Sequence, residues 1–165
     1  MTLLTPELTA MIGRKAHYPA REAISDAMIR YYALATGDMN PIYCDTEAAQ
    51  AAGYPARVAP PTFVVEMGAY AHAKPRPTGF FLHDWDLPLE GFAQIRGGNR
   101  YVFHRPIYGH DAISVTYELL DITEKQGKAG AMLLVTSRAS YHDAKGHEVA
   151  RNEETLFLKP KGGPQ

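Results

Sequence analysis

A chain of 165 residues, 45% hydrophobic and 21% charged, has the make-up of one ordinary globular domain. Its 17 basic and 18 acidic residues leave a formal net charge of -1, with no electrostatic footprint for nucleic acid or an anionic membrane. A single cysteine, Cys44, excludes an intrachain disulfide framework and a cysteine-rich zinc site.

The first residues lack the basic start and apolar core of a secretory signal, and no apolar run approaches ~18 residues. The expectation is therefore a soluble, cytoplasmic protein. From Arg21 to Ala35, Ile24, Ala27, Met28, Tyr31 and Ala35 recur at helical spacing, and Gly37 with Asp38 ends the run. Asp45 reads as the N-cap of a short helix through Ala48, Ala49 and Ala52, stopped by Gly53. A third helix starts at Pro60 and Pro61 and is apolar nearly all round, which assigns it to the interior.

Between Lys74 and Gly91 periodicity gives way to prolines, glycine and aromatics, the composition of a long irregular loop. Such a loop is expected to be a mobile cover over a pocket. Its aromatic set, Phe80, Phe81 and Trp85 with Phe92 just beyond, either covers a bound apolar group or anchors the loop. Segments 112–123, 131–142 and 148–158 then read as strands, joined by turns rich in glycine, lysine and aspartate. Along the middle one, Ala131, Leu133, Val135, Ala139 and Tyr141 alternate with Thr136, Arg138, Ser140 and His142. One greasy face and one mixed face mark an antiparallel sheet covered on one side.

Helices followed by an antiparallel meander argue an α+β class rather than a parallel doubly wound sheet. A long antiparallel sheet wrapped round one central buried helix describes a hot-dog fold. Residues 1–158 are expected to make that single domain, and residues 159–165 a flexible tail.

The most informative stretches are Ala35-Thr-Gly-Asp-Met-Asn-Pro-Ile-Tyr-Cys-Asp and Ala51-Ala-Gly-Tyr-Pro-Ala-Arg-Val-Ala-Pro-Pro-Thr-Phe. With Gly97-Gly-Asn-Arg-Tyr-Val-Phe-His-Arg-Pro and Tyr108-Gly-His-Asp, they resemble the MaoC-type hot-dog family of enoyl-CoA hydratases and 3-hydroxyacyl thioester dehydratases. The resemblance, to the dehydratase-like N-terminal branch, runs from about Ile12 to Leu158. It implies addition or elimination of water at the α,β bond of an acyl thioester. That chemistry needs a carboxylate and an imidazole sharing one water, and a donor for the thioester oxygen. Active members carry an aspartate, an asparagine two residues on and a histidine five residues after the aspartate. A His-Gly pair then opens the central helix, and the glycine N–H is the oxygen's donor.

Asp38 and Asn40 fall on the first two positions, but Tyr43 stands at the histidine, and Pro60 and Pro61 stand at the His-Gly pair. Proline has no N–H to donate, and tyrosine, with a pKa of about 10, is a poor proton shuttle near neutrality. Asp38 is accordingly the candidate catalytic residue. Asn40, Tyr43, Pro60, Pro61, Thr62, Gly97 and Gly98 are candidate substrate-binding residues. Plainer readings stand beside these: Asp38 and Asn40 as ordinary turn formers, Tyr43 as packing, Gly97-Gly98 as a strand bulge. Cys44 reads as a small buried hydrophobe, and His83-Asp84-Trp85-Asp86, His142 and His147 as solvated loop residues rather than metal ligands.

The resulting expectation is an acyl-binding subunit, taking an acyl-CoA or acyl-carrier-protein thioester, without cofactor or metal. Its partner hot-dog subunit would carry the complete Asp/His pair, in a homodimer or heterodimer. The rivals are a self-sufficient homodimeric hydratase using Asp38 with Tyr43 as acid, and a scaffold module with no chemistry.

Overall fold

The structure is a computed structural model and describes residues 2–71, 83–128 and 130–161. Among the described residues, five helices come in the first part of the chain: α1 (Pro6–Ala10), α2 (Asp26–Thr36), α3 (Pro41–Cys44), α4 (Thr46–Ala51) and α5 (Val64–Ala71). Five strands make one antiparallel sheet: β1 (Lys15–Tyr18), β2 (Phe92–Phe103), β3 (Ser114–Gly127), β4 (Gly130–His142) and β5 (Glu148–Pro160). Their order across the sheet is β1-β3-β4-β5-β2. Phe63, Val64 and Met67, at the start of α5, are buried against Val115, Ala139 and Tyr141 of the sheet. This is the hot-dog arrangement.

Strand alternation decides which face carries the core. Leu133, Val135, Ala139 and Tyr141 of β4 are all buried, whereas Arg138 on the opposite face pairs with Glu153 at 2.8 Å. The covered face has two apolar clusters. One gathers Ile29, Ala33, Tyr43, Phe63 and Val64 over the β3–β4 end near Val115 and Tyr141. The other gathers Leu8, Met11 and Trp85 over Leu119, Ile122, Leu133, Val135 and Leu158. The stretch of sheet between these clusters positions the site described below.

Several local expectations are corrected. Helix α2 begins after Ser25, whose hydroxyl accepts from Met28 N at 3.2 Å, not at Arg21. Its buried residues are Ile29 and Ala33, while Tyr31 is 63% exposed and Ala35 is exposed. Apolar residues nearly all round α2 let periodicity select the wrong phase, and packing on the α5 end of the sheet selects the other. Strand β3 runs through Gly127 rather than ending at Thr123, and β5 continues to Pro160. Lys161 N still reaches Gly91 O at 2.6 Å, so the chain leaves the sheet later than expected. Asp45 does cap α4, its Oδ1 accepting from Glu47 N and Ala48 N, and Gly53 follows with φ +89°.

Candidate functional site

The corner that holds Asp38 is built by a chain of caps. Gly37 ends α2 in the left-handed region, with φ +72°, its N–H bonded to Leu34 O. Three residues later Asn40 caps α3, its side chain accepting from Ile42 N at 3.3 Å, with Pro41 fitting the first turn. Ile42 O then accepts from Val58 N, and Ala59 N reaches Ile107 O at 2.8 Å. These bonds hold Pro60 at the mouth of the 3-10 turn Pro61–Phe63 that leads into α5. Asp38, Asn40, Tyr43 and the Pro60–Thr62 turn thus belong to one corner of the fold.

The chemistry of that corner is sparse. Asp38, Asn40, Pro61 and Thr62 are exposed, and Pro60 is buried. Tyr43 is 7% exposed and packed in the core. Burial raises its phenol above the ordinary value, and the charge of Asp38 pushes it the same way. The position at which the resemblance places a histidine therefore holds a group driven further from neutrality. At the turn, Pro61 has no N–H, and Pro60 O is occupied by Phe63 N at 2.9 Å. Thr62 Oγ1 accepts from the Tyr32 hydroxyl at 3.1 Å.

Gly97 and Gly98 lie on β2, away from the cap chain. The register between β2 and β5 shifts between Arg96 and Gly98, so Gly97 sits in a bulge. A side chain at Gly97 would collide with the Phe157 ring and with Thr155 O. The bulge has a consequence for the site. Side chains alternate along a strand, and one inserted residue keeps Asn99 and Tyr101 on the same face as Gln94 and Arg96.

That face meets a cavity of about 820 Å³, lined by β4, β5, β2, the 83–92 segment and Val65 of α5. Its wall is polar in the middle. Glu154 takes Arg96 Nε at 2.8 Å, and Asn152 Nδ2 donates to Asn99 Oδ1 at 2.9 Å. Burial raises the Glu154 carboxyl, with Arg96 opposing, and burial raises the phenols of Tyr101, Tyr117 and Tyr141 as well. Of these residues only Asn99 and Tyr101 fall in a motif read from the sequence, the 97–106 stretch; Arg96, Tyr117, Ser137, Asn152 and Glu154 do not. The available signal was polar interruption of an apolar face, as with Ser137 between Val135 and Ala139.

The 83–86 segment corrects a second expectation. Trp85 is buried, and its indole N–H donates to Ser137 Oγ at 2.8 Å. His83 Nδ1 lies 2.8 Å from the Tyr18 hydroxyl, and its ring stacks on Tyr117 at 4.9 Å. These are anchored residues rather than solvated ones, because the aromatic side chains find the sheet's covered face. Of the expected cover, residues 74–82, with Phe80 and Phe81, lie outside the described residues. Cys44 is half-buried against the α5 end of the core, and its carbonyl accepts from Arg57. Among the described residues, no group of three or more His, Cys, Asp or Glu could hold a metal ion. No helix there is long and apolar enough to cross a membrane.

The model of the FAS1-like dehydratase domain region matches residues 10–152. The chain belongs to that family. It is 32% identical to a UPF0336 protein of Saccharopolyspora erythraea, over 91% of this chain and 90% of that one. It is 30% identical to a probable enoyl-CoA hydratase alpha subunit of Thermomonospora curvata, over 93% of this chain and 51% of that protein. The chain therefore spans about half the length of the hydratase subunit. In structure it superposes on a chain of the ChsH1-ChsH2 complex from Mycobacterium tuberculosis with a TM-score of 0.72. That match has 26% identity and covers 90% of this chain and 86% of that one. The motifs around Asp38 and Pro60 fall within the residues that the FAS1-like dehydratase model matches.

Proposed function

We propose that this domain is the acyl-thioester-binding subunit of an enoyl-CoA hydratase or 3-hydroxyacyl dehydratase, and that a second hot-dog subunit carries the Asp/His pair. The observation that supports the reading best is the state of the catalytic corner. A buried Tyr43 replaces the imidazole, and Pro61 removes the donor for the thioester oxygen. Loss of one such donor costs roughly 10²–10³ in rate, and loss of a proton shuttle roughly 10²–10⁴.

The sheet supports the partner. Among the described residues β2 hydrogen-bonds only β5, and residues 94–100 are exposed, with Ile95 at 55% and Phe103 at 43%. The opposite margin is blunted. Gly13 N and Arg14 O bond to Leu119, and Glu124 accepts from Thr2, Leu3 and Leu4. A long open edge of this kind calls for another strand or a cover. Relatives that act as subunits, and the ChsH1-ChsH2 complex as a structural neighbour, agree with a heteromeric assembly.

The test is hydration of crotonyl-CoA and of a longer enoyl-CoA, by the chain alone and by the chain with any second hot-dog protein that co-purifies. The reading expects turnover only from the pair, unaltered by Asp38→Asn in this chain. Turnover by the chain alone at ordinary enzyme rates, abolished by Asp38→Asn, would replace it with the self-sufficient homodimer.

A further inference from the structure

The cavity has the wrong lining for a plain hydrocarbon. At about 820 Å³ it sits in the upper part of the range for small-molecule sites, about 300–1,000 Å³. Leu156, Leu158 and Phe92 make one end apolar, as an alkyl chain requires. Beyond them the same face carries Ser137, Asn152 and Glu154 on paired strands, since Ser137 lies opposite Glu154 and Ala139 opposite Asn152. Tyr101 and Asn99 face them from β2, placed there by the Gly97 bulge.

The polar groups are only partly occupied with one another. Asn152 donates to Asn99, yet its own Oδ1 is shut off from solvent with no partner. Nearly all buried polar atoms are satisfied, and an unmet acceptor inside a cavity is a place for a ligand's donor. The cavity also connects with the thioester end. Val65, the second residue of α5, lines it, just past the helix start where Thr62 accepts from the Tyr32 hydroxyl. An acyl group whose thioester rests at Pro60–Thr62 would extend past Tyr101 towards Asn152.

We propose that this cavity selects acyl thioesters bearing a hydroxyl remote from the thioester over plain alkyl chains, with Asn152 Oδ1 accepting from that hydroxyl. Asn152 is thus a specificity residue that touches the substrate, and Glu154 and Tyr101 supply further polar wall around it. The inference rests on the acyl-thioester reading above and names its substrate class. A polar wall punishes the analogue that leaves it unpaired more severely than an apolar wall punishes an added hydroxyl.

The experiment measures affinities for dodecanoyl-CoA and for its mono-hydroxylated isomers, substituted at successive carbons from the sixth to the twelfth. It uses the full chain as purified, with any subunit that accompanies it. At least one isomer should bind about tenfold tighter than dodecanoyl-CoA, a difference that one good buried hydrogen bond supplies. Asn152→Leu should erase that preference, and a circular dichroism spectrum and thermal midpoint like the parent's show that the variant is folded. Equal binding of dodecanoyl-CoA and every isomer would overturn this inference alone, as would a preference that survives Asn152→Leu. If no acyl-CoA binds, plain or hydroxylated, the thioester reading falls and takes this inference with it.

Discussion

The corner around Asp38 and the wall around Asn152 are opposite in kind, although α5 starts at the first and its Val65 lines the cavity of the second. The corner is made of short helices, caps and two prolines, and Tyr43 packs into the core where the resemblance places a histidine. The wall is made of long paired strands, and polar side chains interrupt an otherwise apolar face. On the proposed reading, a sparse corner beside a polar binding wall suits a domain that holds substrate for a partner subunit. Tyr43 is accommodated in the core, where its ring packs in one cluster with Ala33, Val58 and Phe63. Replacing Asn152 or Ser137 would make the sheet's face more apolar, yet these positions carry polar groups.

The strongest way to break the comparison is at Tyr43. If it is core, Tyr43→Ala should destabilise the domain by about 3–5 kcal/mol, as truncation of a large buried ring does. Tyr43→Phe should remain folded and leave the activity of the assembled pair within a few-fold of the starting value. Chemical unfolding and a hydration assay on the same samples check both. A folded Tyr43→Phe without activity would return the phenol to the mechanism and make the corner functional.

Next in size is the bulge that aligns the wall. A side chain at Gly97 meets the Phe157 ring and approaches Thr155 O to 2.9 Å, whereas Gly98 has open space. Gly97→Ala should therefore cost about 1–3 kcal/mol by overpacking. Gly98→Ala should be close to neutral. Thermal unfolding of the two variants separates them, and equal effects would mean that the bulge does not set the face of Asn99 and Tyr101.

The smallest effect sharpens the comparison through pH. Burial raises the Glu154 carboxyl above the ordinary glutamate value, with Arg96 opposing. A raised carboxyl binds its proton more tightly in the folded state. Its contribution is thus most favourable below the unfolded value and declines as pH climbs through the raised one. Glu154→Gln should remove that decline, so the variant gains stability relative to the parent as pH rises from about 4 to 7. The gain should stay under about 1 kcal/mol, because the pair with Arg96 is partly exposed. Urea midpoints at several pH values give the difference, and a flat or falling difference would mean that the wall does not desolvate Glu154.

Much of the fold was legible because it follows from local pattern. The alternation along 131–142 named the buried face of β4, and Asp45 with Gly53 bounded α4. The motif around Asp38, Asn40 and Pro60 was legible for the same reason: its members are close in sequence and joined by caps. The phase of α2 was not, since Tyr31 and Ile29 are both apolar and only contact with the sheet distinguishes them. The short elements α1 and β1 were missed as well, being too brief for periodicity to register.

The sequence by itself determined the class of the fold, the family and the defects at Tyr43, Pro60 and Pro61, because residue identity alone removes an imidazole and an N–H. Only the tertiary structure decided that Tyr43 is core, that Trp85 and His83 are anchored, and that a polar wall exists at all. Arg96, Ser137, Asn152 and Glu154 come from three different strands, and their neighbourhood is a matter of strand order and register. The β2–β5 pairing places Asn99 opposite Glu154, across more than fifty residues of chain. No spacing within a single segment encodes that contact; it arises when the sheet closes and the Gly97 bulge turns the next residues to the covered side.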